Sequence, residues 1–67
     1  MEIEKGKRYK LRDGSTAKCF KVTLHDVDAS FVYHMRTVKR HTLVFTVNKD
    51  GVCLAHDARF DITGEIG

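Results

Sequence analysis

Proline and tryptophan are both missing from this 67-residue chain, and cysteine occurs only twice. With no proline, no low-complexity tract and no glycine–serine linker, nothing divides the chain. Residues 1–67 read as a single β domain, compact from about Gly6 to Ile66. Cys19 and Cys53 are too few and too far apart for a disulfide scaffold. Each falls in an apolar alternating segment, where a reduced thiol behaves as a small core residue; one bridge between the two is the alternative. No apolar run approaches the roughly 20 residues that cross a bilayer. Met1-Glu2-Ile3-Glu4-Lys5 lacks the apolar stretch of a signal peptide. The expected compartment is therefore the cytoplasm, with no membrane partner.

The residues of familiar reactive sites are also scarce. Structural zinc sites want close ligand pairs that preorganise two donors on one turn. Here the nearest histidines among His25, His34, His41 and His56 are seven positions apart, and the cysteines are isolated. No glycine-rich phosphate loop and no nucleophile elbow is present. Asp26, Asp28, Asp57 and Asp61 read as turn and strand-end residues, where short acids bond nearby backbone amides. The expectation is a protein that is not an enzyme and takes no metal or cofactor. A chain of this size buries only about 60% of its unfolded surface, so a homo-oligomer would be a natural supplement.

What the sequence does contain is alternation and two Asp-Gly pairs. Asp13-Gly14 and Asp50-Gly51 each separate stretches of alternating apolar and polar residues, a strong hairpin signal. In Gly6–Leu11, Tyr9 and Leu11 point one way while Arg8, Lys10 and Arg12 point the other. Between Ser15 and Leu24, strict alternation places Phe20, Val22 and Leu24 on the face opposite Cys19, Lys21 and Thr23. Val27 to Val38 carries both the helical and the strand period, with Asp26 or Asp28 available as an N-cap. Its β-branched and aromatic content favours strand. Thr42–Val47 is the clearest strand, with Leu43, Phe45 and Val47 facing the core, and Val52–Ala55 is expected to close the second hairpin. A last strand spans Phe60–Ile66, with Phe60, Ile62 and Ile66 turned toward the core. The fold class is all-β: a small, strongly curved antiparallel sheet or barrel of five to six short strands built from two Asp-Gly hairpins.

The net charge of +3 is unevenly spread. Residues 1–21 hold seven Lys/Arg against three acids, and residues 48–67 hold two against four. Lys7, Arg8, Lys10, Arg12, Lys18 and Lys21 gather on the first hairpin. Arg36, Lys39, Arg40 and His41 form a second group in the glycine-free connection from Arg36 to His41. Such clusters suit an acidic partner surface or nucleic acid. Nucleic-acid binding on a small sheet also wants exposed aromatics to stack bases. The six aromatics of this chain are mostly required by the core, which leaves one or two at most for that role.

The stretches Gly6-Lys-Arg-Tyr-Lys-Leu-Arg-Asp-Gly14, Val47-Asn-Lys-Asp-Gly51 and Phe60-Asp-Ile-Thr-Gly-Glu-Ile66 resemble the small β-rich accessory proteins of unknown function from tailed bacteriophages and prophages. The resemblance covers most of the chain, through turn and strand-end patterns. Phe45 stands where those proteins often carry tryptophan, and Thr63-Gly64 where Val-x is commoner. No functional residues carry over. The resemblance implies a phage-type protein acting in the cytoplasm of a host bacterium. The reading that follows is a non-enzymatic protein-binding module, an inhibitor of a host defence or regulatory complex being one form of it. It would dock on a host or phage protein with an acidic surface. The candidate contact residues are Arg8, Lys10, Arg12, Arg36, Lys39 and Arg40. A small basic nucleic-acid-binding protein is the first alternative, and a structural or assembly component the second.

Overall fold

A computed structural model describes residues 3–25, 30–39 and 41–67. Alternating segments pair into one antiparallel sheet of five strands: β1 (Arg8–Leu11), β2 (Thr16–His25), β3 (Ser30–Thr37), β4 (Val44–Val47) and β5 (Ile62–Glu65). Their order across the sheet is β4-β3-β2-β1-β5. A 3-10 turn at Ala58–Phe60 precedes β5. Ser30–Thr37 settles as strand, in line with its β-branched and aromatic content; residues 26–29, which include both candidate N-caps, lie outside the described residues.

Cα partners directly opposite one another share a face, so the register assigns the two surfaces. Tyr9, Ala17 and Thr37 form one inward row across β1, β2 and β3. Cys19, Met35 and Phe45 form the next, and Val22, Tyr33 and Val47 a third. Ile3, Leu11, Cys53 and Ile62 complete the buried cluster, with Tyr33 and Phe60 packed against it. Phe60 stacks on Phe45 with ring centroids 4.8 Å apart. Both cysteines are buried free thiols, and burial raises the Cys19 thiol above its usual range.

Both Asp-Gly pairs sit in tight loops, but each loop has three residues rather than two. Leu11 N–H donates to Ser15 C=O at 2.8 Å, and Gly14 N–H donates to Leu11 C=O at 3.0 Å. Asn48 and Val52 repeat the pattern, with Gly51 N–H donating to Asn48 C=O at 2.9 Å. In both loops the glycine takes positive φ, +90° at Gly14 and +81° at Gly51. Positive φ at the last loop position is a conformation that glycine adopts at no steric cost.

Several expectations change. The sheet does not close into a barrel or curl strongly: β4 and β5 are its two edges. Edge strands of four residues offer too little ladder to wrap the sheet on itself. A hydrogen bond of 2.8 Å from Ile62 N–H to Gly51 C=O ties the start of β5 to the loop after β4. The return arm at Val52–Ala55 shrinks to a single bridge, Val47 with Cys53. Leu43 lies outside β4 and is half exposed, because Thr37 holds its backbone rather than the core holding its side chain. Ile66, past the end of β5, is also exposed.

The largest difference falls in β2. Cys19 pairs with Met35 and Lys21 with His34, so Phe20 is an extra residue in a β-bulge. Two consecutive residues then oppose one partner, and the alternation shifts by one position. Cys19, Val22 and Leu24 therefore share the inward face, and Phe20 is turned outward. Beyond the bulge, the β2–β3 hairpin extends past the core: Leu24 is 55% exposed and Phe31, its partner, 51%.

Candidate functional site

Five Lys/Arg residues lie on β1 to β4, and not one acid does. Register gathers three of them into a line. Arg8 opposes Lys18, and Lys18 opposes Arg36. Adjacent strands are about 4.8 Å apart, so the three backbone positions span about 10 Å of sheet. Lys10 flanks the row on β1, and Lys21 lies opposite His34 beyond the bulge. Like charges placed directly opposite on neighbouring strands repel. Neither Lys18 nor Arg36 forms an ion pair with a described acid.

The bulge puts an aromatic ring into this cationic surface. The Arg36 guanidinium carbon lies 5.9 Å from the Phe20 ring centroid, and the His34 ring centroid is 6.2 Å away. His34 is steadied by a 2.9 Å contact between its Nε2 and Thr23 Oγ1.

The loop after β3 ends the row. Thr37 pins its neck twice, with its own N–H donating to Leu43 C=O at 2.9 Å and its Oγ1 accepting from Leu43 N–H at 2.8 Å. Val38 N–H donates to Thr16 C=O at 2.8 Å, fastening the loop to β2. A cleft of about 270 Å³ opens between this loop and the strands, lined by Lys18, Arg36, Thr37, Val38, Lys39 and Thr42.

Of the residues singled out from sequence, Arg8, Lys10 and Arg36 share the outward face, and Lys39 joins Arg36 at the cleft. Arg12 stands apart on the β1–β2 loop, 4.0 Å from the Asp61 carboxylate. Arg40 lies outside the described residues. Lys7, part of the basic hairpin in sequence, is neutralised by Glu4 at 2.6 Å and Glu65 at 3.1 Å, which push its ammonium well above the usual range. Lys18 and Phe20 were not among the candidate contacts. A cation flanked by alternation marks an exposed strand position, but nothing local marks it as the centre of a row.

Three further acids are engaged in the loops. Asp13 accepts hydrogen bonds from the Ser15 hydroxyl and backbone, which hold its carboxyl below the usual range. Asp57 is held low chiefly by its hydrogen bonds with the Arg59 side chain, whose Nη2 lies 2.7 Å from Oδ2. Asp61 accepts from Cys53 N–H at 2.9 Å. Among the described residues no group of three or more His, Cys, Asp or Glu could hold a metal ion, and no helix is long and apolar enough to cross a membrane.

Comparison of the chain with known protein families, with curated proteins and with solved structures finds no match, and none of the three links it to phage proteins.

Proposed function

We propose that this protein is a non-enzymatic binding module whose outward sheet face holds single-stranded nucleic acid. The observation that carries the reading is the row Arg8–Lys18–Arg36, on strands without a single acid, with the Phe20 ring beside it. Cations arranged this way track a phosphate backbone, and an aromatic ring among them accepts a stacked base. In the sequence, support for this role is weakened because most of the aromatics are needed inside. The bulge removes that objection for Phe20.

The test is the anisotropy of a labelled single-stranded oligonucleotide, read at about 50 mM and about 200 mM salt. With three to five phosphates engaged, affinity is expected to fall roughly 10- to 100-fold between the two, from counterion release. No binding at the lower salt, or binding insensitive to salt, sinks the reading.

A second reading keeps the face as a dock for an acidic protein surface. It is favoured by Leu24 and Phe31, exposed on the opposite face of the same hairpin, which offer apolar contact that nucleic acid would not use. Charge pairing would then mainly speed association and select the partner. Recovery of a stoichiometric protein from a bacterial lysate at moderate salt, lost in Arg36→Glu, is the expected result; recovery of none argues against it. The phage-type origin, the cytoplasm of a host bacterium and an inhibitory role in host defence rest on the sequence resemblance alone. An assembly role requires self-association, and a concentration-independent monomer in light scattering would oppose it.

A further inference from the structure

The cleft at the end of the cationic row has features that the open face does not share. Lys18 and Arg36 reach it from directly opposed positions on β2 and β3, and Lys39 reaches it from the pinned loop. Three cationic residues thus line one space of about 270 Å³, together with Thr42. None of the three pairs with a described acid. Asp13, whose carboxylate feels the field of Lys39, is committed to Ser15. The volume lies below the roughly 300–1,000 Å³ of pockets that enclose a whole small molecule. It suits a compact anionic group with its attachment left outside.

We propose that this cleft seats the terminal phosphate monoester of a nucleic-acid strand. The inference rests on the nucleic-acid reading and adds an end preference to it. An internal phosphodiester carries one negative charge, whereas a phosphate monoester carries about −1.5 to −2 at neutral pH. Three mutually repelling cations gain more from the group with the larger charge. A guanidinium can fork onto two phosphate oxygens while the two ammonium groups take the others as point charges. The same Arg36 lies against Phe20, so the first base of a strand anchored in the cleft meets an aromatic ring. The rest of the backbone then continues along the cations of β2 and β1.

The test compares one short single-stranded sequence carrying a 5′-phosphate, a 3′-phosphate or hydroxyls at both ends, labelled internally, by anisotropy at about 50 mM salt. One of the two phosphorylated forms is expected to bind about tenfold more tightly than the hydroxyl form, the scale of a charge-assisted contact. Lys39→Ala is expected to weaken the phosphorylated form more than the hydroxyl form, so that the ratio shrinks toward one. Thr42→Val, which keeps the side-chain shape, should move the ratio the same way. Equal affinity for all three strands overturns the cleft assignment while leaving nucleic-acid binding in place. Binding of none overturns both. A phosphate preference that survives Lys39→Ala and Thr42→Val undiminished also overturns the assignment, since the extra contact must then lie elsewhere.

Discussion

Single residues decide how tightly each loop holds its strands. Gly14 closes the β1–β2 loop at φ +90°, and a Cβ added there meets no atom within 4 Å. The cost of Gly14→Ala is therefore backbone strain alone, about 1–2 kcal/mol for a side chain forced into the left-handed region. Thermal unfolding should show it as a fall of at least about 4 °C in Tm for a domain this small. Thr37 has a different role. Its buried hydroxyl accepts from Leu43 N–H, so Thr37→Val removes that acceptor and costs about 1 kcal/mol or more. Faster hydrogen exchange at the Leu43 amide would show that the loop neck had loosened, and unchanged exchange would contradict this account of the cleft wall.

At the scale of the strand, the bulge in β2 governs both core and surface. Phe45 is buried and stacked on Phe60, so Phe45→Ala should cost about 3–5 kcal/mol. Phe20→Ala should cost clearly less, because that ring lies on the outward face against Arg36 and His34. Its effect belongs instead to nucleic-acid affinity, where loss of one stacking ring is worth about 1–3 kcal/mol. Urea unfolding and oligonucleotide titration of the two variants separate the roles. Equal destabilisation by both would mean that Phe20 is a core residue after all. Much of the strand pattern was legible beforehand: Tyr9, Leu11, Phe45 and Val47 were all expected inside and are buried. Phe20 was not read correctly, since an interrupted ladder changes which neighbours share a face, and Leu43 was not, since β4 begins after it and Thr37 holds its backbone.

Over the whole molecule, charge is segregated by element. The described acids lie in loops, in the N-terminal segment and on β5, while the strands β1 to β4 carry cations only. Reversing the centre of the row with Lys18→Glu should abolish oligonucleotide binding at moderate salt, and it relieves repulsion from Arg8 and Arg36. Retained binding with an unchanged salt slope would show that the row is not the contact. Stability should depend on pH through the loop acids. Asp13 and Asp57 titrate below their unfolded value of about 3.9. Their contribution is present above that pH and lost as pH falls through the lower folded values. At the alkaline end, burial raises Tyr9 and Cys19, so their contribution is present below their unfolded values and lost as pH rises through the folded ones. Urea midpoints should accordingly be level near neutrality and decline at both extremes, and Asp13→Asn should flatten the acid limb.

Side-chain alternation is a local property with a period of two, and it was enough to identify an all-β chain, most of its strands and the basic character of its first hairpin. The positions of the Asp-Gly loops were local as well, since glycine takes the backbone conformation they need at no steric cost. Whether Phe20 faces in or out was not local, because a bulge exists only relative to the strand it pairs with. The line from Arg8 through Lys18 to Arg36 is likewise a matter of register, joining residues up to 28 positions apart in the chain. The cleft required one step more, the fastening of Val38 to Thr16 on β2 and of Leu43 to Thr37. Pairing between strands follows from how the core packs, and that packing turned a scattered set of cations into a surface.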